Sequence, residues 1–256
     1  MILLVLGNPV DHSLSPTLHN AALAACNLDG SYGRRNVDAV GMAQAVAEIR
    51  NGDLFGASVT MPHKELAAQL ADRLAPLAER AGAVNTLVSA NGVVGHNTDV
   101  AGIRAAWREA GIDERSPVRI LGTGGAAAAA LLALEGREIV VSGRRPEAIA
   151  SLLERVQVEA SPLDWSAPHS GAVLVNATPV GMKGEQLDPH LTEATVGLFD
   201  MAYGPTSTPA VVTAADAGIP VADGRAMLLH QAAAAFELWT GIPAPVEAMR
   251  NALAAG

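Results

Sequence analysis

Between Val118 and Leu134 the chain reads Val-Arg-Ile-Leu-Gly-Thr-Gly-Gly and then an unbroken run of alanine and leucine. An apolar run of strand length, a glycine turn and an Ala-rich segment of helix length form one half of a parallel α/β unit. Gly122, Gly124 and Ala127 fit the spacing G-x-G-x-x-G/A. Its glycines permit a tight turn and close approach of backbone to a pyrophosphate, and the helix N-terminus favours that charge. This stretch therefore predicts a nucleotide-binding α/β domain.

The segments around it agree. A second strand is expected over 138–142, a third over 172–176 ending in Asn176-Ala-Thr178, and a fourth over 197–202 ending in Asp200-Met201. A helix over 208–217 and a strand over 219–222 follow. Strands alternating with helices at this spacing predict a doubly wound parallel sheet over about 99–222. The second strand ends in Ser142-Gly143-Arg144-Arg145, with no acid before Glu147. An acid there would accept from a ribose 2′-hydroxyl, whereas guanidinium groups grip a 2′-phosphate. NADP is expected over NAD.

The N-terminal part carries a different set of polar groups. A strand over 2–6 leads to a loop containing Ser13 and Ser15, and then a helix near Pro16 that Ser15 is placed to cap. A strand over 31–37 and a helix over 42–50 follow. The apolar run 54–59 ends in Thr60-Met-Pro62-His-Lys64, and one helix is expected from Lys64 to about Leu77. Lys64 should thus stand at the carboxyl end of a strand, where open α/β sheets put their ligands. By itself it also reads as a solvated helix-start lysine. Residues 83–97 read as a hairpin turning at Asn91-Gly92, with Asn85 in the first arm. Asp99 then opens a helix over 100–110, either as its cap or as a carboxylate partner for Lys64. A long helix from Asp223 through Trp239 carries Gln231, and a second spans 244–254. Both are expected to pack back on the N-terminal domain, giving domains of 1–98 plus 223–256 and of 99–222.

Composition narrows the function classes. A net charge of −9 with no basic stripe argues against a nucleic-acid surface. The single Cys26 allows no internal disulfide and no cysteine cluster, and the histidines show no metal-ligand spacing. The apolar start is broken at Gly7-Asn8-Pro9 and has no basic segment before it, so it reads as a strand, not a signal peptide. The longest apolar run is about half what a bilayer span needs. A cytoplasmic protein without membrane segments is expected.

Taken together the motifs resemble the shikimate dehydrogenase family. The pieces are Gly7-x-Pro9-x-x-His12-Ser13-x-Ser15-Pro16-x-x-His19-Asn20, Ser58-Val-Thr60-x-Pro62-x-Lys64, Ala81-Gly-Ala-Val-Asn85-Thr and Asn97-Thr-Asp99-x-x-Gly102. Gly122-x-Gly-Gly-Ala126, Asn176-Ala-Thr178-x-x-Gly181-Met182 and the helix with Gln231 complete the order. The resemblance implies an N-terminal α/β substrate-binding domain, a Rossmann-type NADP-binding domain, and reversible NADPH-dependent reduction of 3-dehydroshikimate to shikimate. It further implies a substrate site of Ser13, Ser15, Thr60, Lys64, Asn85, Asp99, Tyr203 and Gln231, with Lys64 and Asp99 as the catalytic pair. Cofactor positions are Gly122, Thr123, Gly124, Gly125, Ala126, Arg144, Arg145, Thr178, Met201 and Gly224. The small-molecule substrate is the expected partner, on a monomer or homodimer. The family often has Asn-Arg-Thr where this chain has Gly143-Arg144-Arg145, and a more apolar helix entry than Gly224-Arg225-Ala226. Three rival readings remain. They are a quinate or amino-shikimate enzyme using NAD, a methylene-tetrahydrofolate dehydrogenase of similar plan, and a non-catalytic NADP sensor.

Overall fold

The computed structural model describes residues 1–204 and 206–255. They form two compact units, Met1–Thr98 with Leu228–Gly256, and Asp99–Met227.

In the first unit, strands β1 (Ile2–Gly7), β2 (Ser31–Asn36), β3 (Gly56–Val59), β4 (Arg73–Leu74), β5 (Thr86–Ser89) and β6 (Val93–His96) make one sheet. Its order is β2-β1-β3-β5-β6-β4. β1 pairs in parallel with both β2 and β3, while β5 is antiparallel to β3 and β6. Helices α1 (Ser15–Ala25), α2 (Ala39–Asn51), α3 (Lys64–Leu70) and α4 (Pro76–Ala81) lie between the strands. β1 alternates its side chains between two apolar layers. Leu3 and Val5 pack with Tyr32 and Trp239, and Leu6 packs with Met42, Val46, Ile49 and Leu87. Burying both faces requires β1 to be almost wholly apolar, as it is.

The structure departs from the sequence expectations at three places. Ser15 does not cap α1: the helix begins at Ser15 itself, with Leu14 as an N-cap that makes no side-chain hydrogen bond. The helix from Lys64 to Leu77 is two helices. Ala71 turns extended, and Asp72 is drawn to β6, where its carboxylate accepts the Val93 N–H at 2.7 Å and the Arg50 guanidinium at 2.7 Å. The Asn91-Gly92 turn is a three-residue connection, because Ser89 pairs with Val93. Both Asn91 (φ 50°) and Gly92 (φ 102°) still take the positive φ that such turns demand.

The second unit is a wholly parallel sheet in the order β12-β11-β10-β7-β8-β9. Its strands are β7 (Val118–Leu121), β8 (Ile139–Ser142), β9 (Ser161–Pro162), β10 (Val173–Asn176), β11 (Gly197–Asp200) and β12 (Val221–Asp223). Helices α5 (Asp99–Glu109), α6 (Gly125–Ala133), α7 (Pro146–Val156), α8 (Pro189–Thr192) and α9 (Pro209–Asp216) complete the alternation. β7 is buried throughout, including Arg119. The Arg119 guanidinium is tolerated because it donates to the carbonyls of Asp164, Trp165 and Ala167 and to Ser142 Oγ.

The division between units falls inside helix α10 (Gly224–Thr240), five residues beyond the boundary read from sequence. Residues 223–227 stay with the second sheet for two reasons. Asp223 pairs with Asp200, and a Cβ at Gly224 would lie 2.7 Å from the Met201 carbonyl oxygen. The rest of α10 and α11 (Val246–Ala255) pack back on the first unit. α11 lies along α1, and Trp239 Nε1–H donates to the Leu87 carbonyl at 2.9 Å.

Candidate active site

In the first unit the candidate side chains come from the carboxyl ends of β1 and β3 and from the hairpin. β3 ends in a turn in which the His63 N–H donates to the Thr60 carbonyl at 3.0 Å, and Lys64 then opens α3, half-buried. His63 is buried and its Nε2–H donates to the Val37 carbonyl at 2.7 Å, which ties the residue next to Lys64 to the end of β2. Thr60 sits against β1: its N–H donates to the Leu6 carbonyl, and a Cβ at Gly7 would fall 2.5 Å from Thr60 Cγ2. Only glycine at position 7 allows the two strand ends to lie so close.

Ser13 and Ser15 are both buried and form a pair. Ser13 Oγ–H donates to Ser15 Oγ at 3.2 Å and accepts the Ser15 N–H at 3.3 Å. Deeper in the unit lies an amide and hydroxyl network. Asn85 Oδ1 accepts the Thr98 N–H at 2.7 Å and the Thr86 hydroxyl at 3.1 Å. Asn85 Nδ2 donates to Thr98 Oγ1 at 2.9 Å and to Gln231 Oε1 at 3.2 Å. Gln231 Nε2 in turn donates to the Leu228 carbonyl. All four side chains are buried, and neutral groups so placed must be mutually satisfied.

In the second unit, the turn after β7 has the geometry the glycines were expected to supply. Gly122 has φ +117°, and a Cβ there would stand 2.9 Å from the Ala177 carbonyl oxygen. Gly124 caps α6 in extended backbone, and nothing lies within 4 Å of where its Cβ would be. An open glycine at the start of a nine-residue helix fits a pyrophosphate laid against the N–H groups of Gly125 and Ala126. Thr123 is half-buried, and Arg144 and Arg145 are exposed beyond β8. Thr178 Oγ1–H donates to Asn176 Oδ1 at 2.6 Å, and the Met201 N–H donates to the Asn176 carbonyl at 3.0 Å. Asn176 also donates from Nδ2 to the buried Asp200 at 2.8 Å, so one amide holds both strand ends. Burial pushes the Asp200 carboxyl above the ordinary range, against the hydrogen bonds from Thr208, Asn176 and the Ala202 N–H. Gly224 packs on Met201 and Ala202, with half-buried Tyr203 next in the chain. Asp99 is buried at the first position of α5. Among the described residues, no three His, Cys, Asp or Glu side chains gather as a metal site would require.

Residues 5–87 match the model of the shikimate dehydrogenase substrate binding domain, and residues 224–254 that of the shikimate 5′-dehydrogenase C-terminal domain. The shikimate dehydrogenase (NADP(+)) of Citrifermentans bemidjiense is 38% identical, over 98% of this chain and 93% of its own. The chain belongs to the shikimate dehydrogenase family. The enzyme of the same name from Acidiphilium cryptum is also 38% identical, over 98% of this chain and 95% of its own. The shikimate 5-dehydrogenase of Thermus thermophilus, solved in complex with NADP(H) and shikimate, has the same fold. It gives a TM-score of 0.89 at 34% identity, covering 100% of this chain and 99% of the other.

The shikimate dehydrogenase motifs noted in the sequence divide between the units. Ser13, Ser15, Thr60, Lys64, Asn85 and Gln231 belong to the first unit. Asp99, Tyr203 and all ten cofactor candidates belong to the second. Thr86 and Thr98 bond to Asn85, Arg34 bonds to Ser13, and His63 lies beside Lys64. None of the four has a role among the sequence expectations, although Thr86, Thr98 and His63 lie within the motifs. Gly143 stands where space is short. A Cβ at position 143 would meet Thr123 Cγ2 at 2.8 Å, so the threonine in the glycine turn and the glycine after β8 fill one space between them.

Proposed function

We propose that this chain catalyses the reversible NADPH-dependent reduction of 3-dehydroshikimate to shikimate, a step towards chorismate and the aromatic amino acids. The observation that carries the reading is the single continuous relationship, at 38% identity over 98% of the chain, to an NADP-dependent shikimate dehydrogenase. Both the hydroxyl and amide set of the first unit and the open glycine turn of the second fall within it.

NADPH supplies the hydride when bound. Gly122, Thr123, Gly124, Gly125 and Ala126 hold its pyrophosphate, Arg144 and Arg145 its 2′-phosphate, and Thr178, Met201 and Gly224 its remainder. Ser13 and Ser15 give neutral hydrogen bonds to the substrate carboxylate, and Thr60, Asn85, Tyr203 and Gln231 hold its hydroxyls and ring. A ketone that accepts hydride becomes an alkoxide, which needs a proton; the reverse direction needs a base at the same oxygen. Lys64 and Asp99 are the catalytic pair that gives and takes this proton. Residues 1–98 with the helices beyond Met227 act as the substrate domain and 99–227 as the cofactor domain. The enzyme works in the cytoplasm as a monomer or homodimer.

The test is an initial-rate assay of alcohol oxidation, read as reduced-nicotinamide absorbance, with shikimate and quinate, each with NADP and NAD. Shikimate with NADP should be the best pair by a wide margin. A clear preference for quinate with NAD would overturn the substrate and cofactor assignment together.

A further inference from the structure

The loop from Asn8 to Leu14 carries Ser13 and leads directly into Ser15, and the edge strand β2 holds it. Arg34 and Asn36 are two apart on β2, hence on one face. Asn36 accepts the Val10 N–H at 2.9 Å and donates to Asp11 at 2.9 Å. Arg34 reaches further along the loop, donating both Nε (3.0 Å) and Nη2 (2.6 Å) to the carbonyl oxygen of Ser13. Inside the loop the Ser13 N–H donates to the Val10 carbonyl at 3.0 Å. The peptide planes on either side of the Ser13 side chain are thereby fixed from β2 and from Val10. The Ser13 hydroxyl then fixes Ser15, through the Ser15 N–H and the bond between the two hydroxyls.

We propose that Arg34 is the positioning residue for the Ser13 and Ser15 hydroxyls, and through them sets the affinity for the substrate carboxylate. Two donors of one planar guanidinium on one oxygen define the direction of that carbonyl as well as its distance. An ammonium at the same place supplies charge without that geometry. The arginine acts through the backbone of Ser13. This inference rests on Ser13 and Ser15 binding the substrate, as proposed above.

The experiment compares Arg34→Gln, Arg34→Lys and Ser15→Ala with the parent, measuring KM for shikimate, KM for NADP, kcat and the thermal midpoint. Ser15→Ala should raise the shikimate KM. Both Arg34 variants should raise it by about tenfold, the scale of a lost charge-assisted hydrogen bond. Their NADP KM should stay near the parent's, and the thermal midpoint should fall by no more than the few degrees one such hydrogen bond is worth. A parental shikimate KM in Arg34→Lys overturns the proposal, because charge alone would then suffice. So does a rise in both KM values together with a lowered midpoint, which marks general loosening of the unit. If Ser15→Ala itself leaves the shikimate KM unchanged, the reading of the serine pair fails and the role of Arg34 with it.

Discussion

The side-chain amide of Asn85 donates to Oε1 of Gln231 at 3.2 Å, across 146 residues of sequence. The hairpin and the C-terminal helix are thus joined by two neutral groups of the kind that recognise hydroxyls. Thr98 stands between them, accepting from Asn85 Nδ2 and giving its own N–H to Asn85 Oδ1. It is also the residue that precedes Asp99.

Thr98→Val keeps the shape and removes one of the two acceptors of Asn85 Nδ2, leaving its bond to Gln231 Oε1 in place. The loss of one buried hydrogen bond costs about 0.5–1.5 kcal/mol. The expected outcome is a stability loss in that range by denaturant titration, with a larger proportional fall in kcat/KM for shikimate than in NADP affinity. Equal falls in both would show that Thr98 serves only the fold.

Lys64→Ala and Asp99→Ala should each lower turnover by several orders of magnitude while NADP still binds, as read by quenching or transfer fluorescence of the reduced cofactor. The two losses should not add in the double variant, because groups acting on one proton transfer fail as a unit. Near-parental turnover in either single variant would remove that residue from the chemistry.

The parallel sheet of the second unit was legible because strands buried on both faces must be apolar runs, and β7, β10 and β11 are buried throughout. The sheet of the first unit was harder to read. β4 is two residues long, and it exists because Asp72 is recruited by Val93 and Arg50. The break between α3 and α4 did leave a mark, since Pro76 disfavours helix at Ala75. Among site residues, Lys64 and the glycine turn could be placed because their neighbours define a strand end. The grip of Arg34 on Ser13 could not, because it joins a side chain to a carbonyl 21 residues away and carries no local pattern.

His19 should give the protein an acid-sensitive core. It is fully buried, stacked on Tyr32 at 4.3 Å, and neither ring nitrogen has a hydrogen-bond partner among the described residues. Burial lowers its pKa to about 3 from the ordinary 6.5. Between those values the unfolded chain binds the proton and the native one does not. The native state is therefore destabilised as pH falls below 6.5, by about 1.4 kcal/mol per unit. His19→Phe should flatten the decline of the thermal midpoint between about pH 7 and 5, the range around the ordinary histidine pKa. His96, also lowered by burial, leaves a residual slope. Parallel declines in parent and variant would refute the assignment to His19.

The shared space of Thr123 and Gly143 makes a prediction about cofactor binding. A side chain at position 143 would bring its Cβ to 2.8 Å from Thr123 Cγ2 and 3.3 Å from Ile149 Cγ1. Gly143→Asn should therefore push Thr123 out of place at the head of the glycine turn. NADP affinity should drop several-fold, and the thermal midpoint should fall by a few degrees, the scale of about 1 kcal/mol of overpacking. Thr123→Ala opens the space, so Gly143→Asn should cost little further NADP affinity or midpoint when made in the Thr123→Ala background. Calorimetric titration of NADP into the parent, the two single variants and the double variant measures the coupling directly. It should appear as a clearly non-additive pair, as expected for residues in contact. Additive effects would mean that the glycine is there for a reason other than the threonine.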